Sequence, residues 1–242
     1  MTIGQISLAQ LALIFIPVAV VVAIQWRWSL AYRDTLYGLS RMVVQLLAVG
    51  YVLVFLFESE SPLTVSAVLF VMITISSWIA LRPLGKSRPG LYWISLLSIT
   101  VGCLPVLMLA TQLVIEVEPW YAPHYLIPLA GMIFANSMNP VSIAAERYQA
   151  ELDHGHSPEK ARYIAMRTAM IPLVNSLMAV GLVSLPGMMT GQILSGVSPL
   201  IAARYQILVM CMLFTAAGFS AVLFLVSARS LIPSFDQSSA KD

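Results

Sequence analysis

The stretch Gln206-Ile-Leu-Val-Met-Cys-Met-Leu-Phe-Thr-Ala-Ala-Gly-Phe-Ser-Ala-Val-Leu-Phe-Leu-Val-Ser-Ala228 carries no charged side chain. About 20 apolar residues suffice for a helix to cross the hydrocarbon layer of a bilayer. No water is present there to satisfy backbone N–H and C=O groups, so a spanning segment must bond its own backbone as a helix. Similar runs recur toward the amino terminus, at Thr168–Leu185, Tyr125–Ala145, Leu91–Ile115, Leu63–Leu81, Met42–Phe57 and Ile6–Ile24. They predict an all-α polytopic membrane protein with about seven transmembrane helices. The second and sixth spans are short and can extend into flanking amphipathic turns. Composition agrees: 59% of the 242 residues are hydrophobic and only 10% are charged, against about 25% charged in a soluble domain. No stretch free of apolar runs is long enough for a soluble domain, so residues 1–242 read as a single membrane domain.

The first run is expected to be a true span and not a cleavable signal, because no basic residue precedes Ile6 and the run closes on Gln25-Trp26-Arg27-Trp28, which looks like an interfacial anchor. Translocation disfavours Lys and Arg, so cytoplasmic connections collect them. Alternate connections hold Arg27, Arg33 and Arg41; Arg82, Lys86 and Arg88; Arg147, Lys160, Arg162 and Arg167; and Arg229 with Lys241. The others hold Glu58, Glu60, Glu116 and Glu118, with Arg204 as their cation. The amino terminus is therefore expected outside and the carboxyl terminus in the cytoplasm, in a multi-pass protein of the cell (inner) membrane.

No acid or base needs to lie deep in the bilayer, which weakens a proton- or ion-coupled carrier reading. Gly85-Lys86-Ser87 matches the tail of a phosphate-binding loop, but Ala80 stands where its first glycine belongs and no strand precedes it. Cys103 and Cys211 fall within spans as small apolar residues, and no zinc or disulfide spacing is present. Nothing supports an enzyme or a nucleic-acid partner, and no catalytic or cofactor-binding residue is expected in this chain.

The longest hydrophilic stretch, Glu146–Arg167, carries helix signals. Gly155 breaks one helix, Ser157 caps the next, Pro158 takes its first position and Glu159 its first turn. Ala161, Ala165 and Ala169 then share a face at i, i+4 spacing. The stretch serves either as a solvated connector or as a helix–turn–helix that docks on a cytoplasmic partner.

Gly155 followed by Ser157-Pro158-x-x-Ala161, leading into a span with Pro172, resembles the coupling loop of ABC transporter permeases. Pro128-Leu-Ala-Gly-Met-Ile-Phe-Ala-Asn136-Ser-Met-Asn139 and Leu185-Pro-Gly-Met-Met189 are similar to the Fet-type iron-export permeases, relatives of plant permeases linked to aluminium tolerance. Arg41-x-x-x-Gln45-Leu46 and Arg204-Tyr205-Gln206-Ile207 fit the same family, so the resemblance covers nearly the whole chain. It implies a permease subunit that forms a homodimer in membrane lipid and couples through Gly155, Ser157, Pro158 and Ala161 to a separate cytoplasmic ATPase. ATP and Mg would bind that partner. Metal ions are the implied cargo. A permease for a non-metal solute, or a stand-alone carrier or scaffold, is the alternative.

Two further features bear on mechanism. From Leu185 to Pro199, Pro186, Gly187, Met188, Met189 and Gly191 make a segment too broken to span, read either as a tight hairpin or as an outer gate. Such backbone needs protein or a water-filled cavity around it, and Gly187-x-x-x-Gly191 would allow close helix approach. Met132, Asn136 and Asn139 share a face of the fifth span, and Asn175 and Met178 a face of the sixth. They are candidates for a weak cargo path with oxygen and thioether donors, or for interhelical hydrogen bonds worth about 0.6 kcal/mol each.

Overall fold

The computed structural model describes residues 7–58 and 61–228. Ile6, Glu60, Arg229 and Lys241, which figure in the expected spans and charge pattern, lie outside them. The described chain is helical, with one isolated bridge between Val180 and Ser184. It forms two compact units, Met1–Glu58 and Ser59–Asp242.

In the first unit, α1 (Leu8–Leu13) begins on a reciprocal cap. Ser7 Oγ accepts from the Gln10 backbone N–H at 3.2 Å and Gln10 Oε1 accepts from that of Ser7 at 2.9 Å, satisfying two donors that a helix start leaves free. It leads into α2 (Phe15–Arg27), so that Ala9–Arg27 is long and apolar enough to cross a membrane. A short turn holding Ser29 at φ 57° joins it to α3 (Tyr32–Phe57), which packs on α2. Helix α3 starts well before Met42. The short second run does extend, and Arg33 and Arg41 lie on the helix rather than in a connection.

The second unit starts at α4 (Pro62–Ala80), capped by Ser61 with Pro62 at its first position. A 3₁₀ turn, Arg82–Ser87, leads to α5 (Arg88–Met108), which continues as a π-helical turn over Leu109–Val114. Gly85 sits in that 3₁₀ turn at φ 51°, a basic turn between two apolar helices. Then follow α6 (Pro123–Asp153), α7 (Pro158–Ala179), α8 (Gly187–Leu194) and α9 (Pro199–Ala228). Helix α9 packs against α5 and α6, and α6 also meets α4 and α7.

Small residues let these helices approach, as expected where lipid removes the hydrophobic drive and packing must hold helices together. Ala144, Ala161, Ala165, Ala169, Ala216, Ala217 and Ala221 are fully buried. At the α5–α9 crossing, a Cβ on Gly102 would lie 2.8 Å from the Ser220 backbone nitrogen and closer still to its Oγ. Beside it the Cys103 thiol donates to Ser137 Oγ at 3.2 Å, with Ser220 Oγ at 3.7 Å, tying three helices. Ser95 Oγ donates to the Ser77 carbonyl at 3.1 Å. Arg88 Nε donates to the Trp78 carbonyl at 2.8 Å with its guanidinium 3.7 Å from the indole, which anchors α5 to the end of α4.

Two expectations need correction. Among the described residues six helices, not seven, are long and apolar enough to cross a membrane. The expected sixth span, Thr168–Leu185, corresponds to the second half of α7, which stops at Ala179. Its charge-free part, Thr168–Ala179, is about 18 Å long at 1.5 Å per residue, short of the ~30 Å hydrocarbon layer. The helix ends because Val180 turns extended and Gly181 adopts φ 82°. The amides of Leu182, Val183 and Ser184 then converge on the Ala179 carbonyl. The last span begins at Pro199 instead of Gln206, so Arg204 is an exposed residue of α9 and not part of a connection.

Candidate functional site: the α6–α7 turn and the face of α7

Helix α6 runs for 31 residues, about 46 Å at the α-helical rise, so its charged end from Glu146 onward extends past an apolar segment that closes at Ala145. It stops at His154 in a Schellman turn. Gly155 takes φ 78°, its N–H reaches the Leu152 carbonyl at 2.8 Å and that of His156 reaches Glu151 at 3.1 Å. A left-handed residue is required there, and glycine supplies it without steric cost. Ser157 then caps α7, its Oγ accepting from the Lys160 N–H at 3.4 Å, with Pro158 at the first position and Glu159 in the first turn.

A buried carboxylate locks this turn from beneath. Glu151 is 4% exposed, paired with Arg147 one helical turn back and with His156 Nδ1 across the glycine. It lies beyond the apolar part of α6. Its carboxyl is held below the usual carboxylate range, first by the hydrogen bond from His156 and then by the charge of Arg147, against the opposing effect of burial. The sequence reading passed over this cluster. Its signal was the Glu151-to-His156 spacing across a helix-ending glycine.

Of the residues expected to couple to a partner, Gly155, Ser157 and Pro158 are exposed, as are Glu159 and Lys160. Ala161 is not: it is 0% exposed and, with Ala165 and Ala169, forms the buried stripe of α7. Its small side chain serves packing within the protomer, and a docking surface must be built from its exposed neighbours.

The expected cargo-path residues are dispersed in exposure. Met132 and Asn136 are half-buried, and Asn136 Nδ2 donates back to the Met132 carbonyl at 2.9 Å. Asn139 and Asn175 are exposed, and Met178 is 73% exposed. They do not form an enclosed site within one protomer. Among the described residues no group of three His, Cys, Asp or Glu side chains could share a metal ion. The second half of α7, from Ile171 to Met178, is mostly exposed, and the turn beyond it more so, with Leu182 at 90%.

In the expected gate, Pro186 precedes α8, Met188 and Met189 are half-buried, and Gly187 and Gly191 are exposed. A Cβ on either glycine would meet nothing within 4 Å, so the Gly187-x-x-x-Gly191 pair makes no close helix contact within the protomer. Nearby on α9, Gln206 is 6% exposed, and its Oε1 has no hydrogen-bond partner. Gln206 belonged to a motif quoted for its resemblance, but a lone glutamine gives no sequence signal of burial.

The family described as "Uncharacterised protein family (UPF0014)" matches residues 8–232. A UPF0014 membrane protein of Synechocystis sp. is 37% identical over 84% of this chain and 85% of its own length. The probable iron export permease protein FetB of Escherichia coli is 35% identical over 88% and 86%. The protein ALUMINUM SENSITIVE 3 of Arabidopsis thaliana is 30% identical over 87% and 81%. These relatives bear out the resemblance read from the Leu-Pro-Gly-Met-Met block. No solved structure matches.

Proposed function

Because the chain belongs to the UPF0014 family of multi-pass membrane proteins, we propose that it is the permease subunit of an ATP-driven exporter, with metal ions as cargo. A separate cytoplasmic ATP-binding subunit supplies the energy, and two copies of this chain assemble around the path. The observation that carries the reading is the α6–α7 turn. A Schellman stop, a serine cap and the pairing of buried Glu151 with half-buried His156 fix the tip Gly155–Lys160 past the apolar part of α6. Such caps satisfy the backbone at any helix end, and the added Glu151 pairing with Arg147 and His156 holds this tip in one shape, as a docking element requires. The iron-export name of the Escherichia coli relative supports a metal cargo.

In this reading the amino terminus is outside, and the basic stretches Arg27–Arg41, Arg82–Arg88 and Arg147–Arg167 face the cytoplasm, as the distribution of Lys and Arg supports. Helix α7, the turn Val180–Pro186 and α8 together complete the crossing between α6 and α9. The cargo side chains are the amide oxygens of Asn136, Asn139 and Asn175 and the thioethers of Met132 and Met178. The thioethers suit softer ions and the neutral amide oxygens harder ones, and without a carboxylate the set binds a metal ion weakly. Weak binding suits export, which must release the ion after the ATP-driven step.

The test is association. Membranes containing the tagged full-length chain are solubilised and probed for a nucleotide-binding subunit. Stoichiometric copurification that Lys160→Glu abolishes, with helical content kept, is expected. A chain that purifies with no ATPase, and shows no ATPase activity when mixed with one encoded alongside it, would instead be a stand-alone carrier or scaffold.

A further inference from the structure

We propose that the groove between α2 and α3 binds one acyl chain of an anionic phospholipid, whose phosphate is held by Arg27 and Arg33. The groove is open along its side, with a volume of about 790 Å³, and runs from Trp26 and Tyr32 at one end to Phe15 and Val43 at the other, with Ala19 and Ala23 between. Those two alanines keep the space open, since larger side chains would fill it. From Phe15 to Trp26 the wall is about 16 Å long at the α-helical rise, and the wall from Tyr32 to Val43 matches it. That is half of the ~30 Å hydrocarbon layer. The depth is one leaflet, which suits a lipid tail. A second spanning helix would need a seam twice as long.

The charged end identifies the headgroup. Arg27 is the last residue of α2 and Arg33 the second of α3, and both are exposed. Arg33 Nε donates to the Tyr32 hydroxyl at 3.4 Å with its guanidinium 6.0 Å from that ring, which directs the charge to the mouth of the groove. Asp34 is the neighbouring acid, and two arginines against one carboxylate leave the mouth a net positive charge. Trp26 and Trp28 are 64% and 70% exposed, as rings at the headgroup level are. Basic pockets between transmembrane helices recognise acidic headgroups, at about 1 kcal/mol per arginine. A tail moving from lipid to groove gains no hydrophobic free energy, so selectivity rests on the headgroup.

The full-length chain, purified in mild detergent, would be titrated with phosphatidylglycerol and with phosphatidylcholine, and bound lipid counted by native mass spectrometry. The chain should retain phosphatidylglycerol selectively. Arg27→Gln with Arg33→Gln should weaken that retention about thirtyfold, and Arg27→Lys with Arg33→Lys should restore most of it. Ala19→Phe, which fills the groove and leaves both arginines, should displace the lipid without changing helical content. Equal retention of both lipids would overturn the proposal, as would undiminished phosphatidylglycerol binding in the glutamine variant. Unchanged lipid in Ala19→Phe with a shift in oligomeric mass would give the groove to a second copy of the chain.

Discussion

Replacing Gly102 by alanine should destabilise the bundle measurably, because the added methyl has nowhere to go. It would sit 2.8 Å from the backbone nitrogen and 3.0 Å from the Cα of Ser220, both parts of the α9 backbone that no rotamer change can remove. Helix α9 must shift outward by several tenths of an ångström at Ser220. Overpacking of this kind costs about 1–3 kcal/mol, and a chain of this size loses roughly 2–4 °C of melting temperature per kcal/mol. A fall of about 2–12 °C is expected. The chain carries its own reporter. Cys103 is 0% exposed and Cys211 is exposed, so in a Cys211→Ser background a thiol-reactive dye reads unfolding through Cys103 alone. Adding Ser220→Ala, which removes the Oγ but not the backbone atoms, should recover only part of the loss. If Gly102→Ala melts with the parent to within a degree, the α5–α9 approach described above is wrong.

Ser157→Ala should cost about 1 kcal/mol and speed hydrogen exchange over the first turn of α7, read by mass spectrometry, without dispersing the bundle. Ala161→Glu places an unpaired charge in the α6–α7 seam and should lower thermal stability by about 3–5 kcal/mol. Loss of partner binding in that variant would therefore not map a docking surface, whereas loss in Lys160→Glu at unchanged stability would. Asn175→Leu, at an exposed position, should leave stability within about 0.5 kcal/mol while abolishing metal stimulation of ATP hydrolysis and sparing the basal rate. Equal loss of both rates would make Asn175 a packing residue.

The membrane class and six of the seven expected spans were legible because length and hydropathy decide them. The Gly155–Ser157–Pro158 turn was legible because each residue there answers a local backbone demand. The sixth span was misjudged because hydropathy carries no register: Val180–Leu185 is apolar, but Gly181 and Pro186 end the helix within it. Likewise the apolar count began the last span at Gln206, although Arg204 can lie on an exposed helical face and project its charge toward water. Ala161 was placed in the coupling surface by resemblance of the Ser157-Pro158-x-x-Ala161 pattern, and a shared i, i+4 alanine face does not say what covers it; here it is buried. The depth of Gln206 depends on which helices meet, and tertiary packing of that kind leaves no trace in a single sequence, whereas the Glu151–His156 pair is local and its five-residue spacing across Gly155 was there to be read.

The most direct measurement is ATP-driven transport by the two subunits together. Inside-out vesicles containing this chain and its ATP-binding partner would be offered iron and a panel of other cations, with and without ATP. The proposed function predicts ATP-dependent accumulation of iron or a softer ion, absent when either subunit is omitted and absent when Asn136 and Asn175 are both replaced by leucine. Vesicles that hydrolyse ATP yet move no cation in the panel, or that accumulate metal equally without ATP, would contradict it.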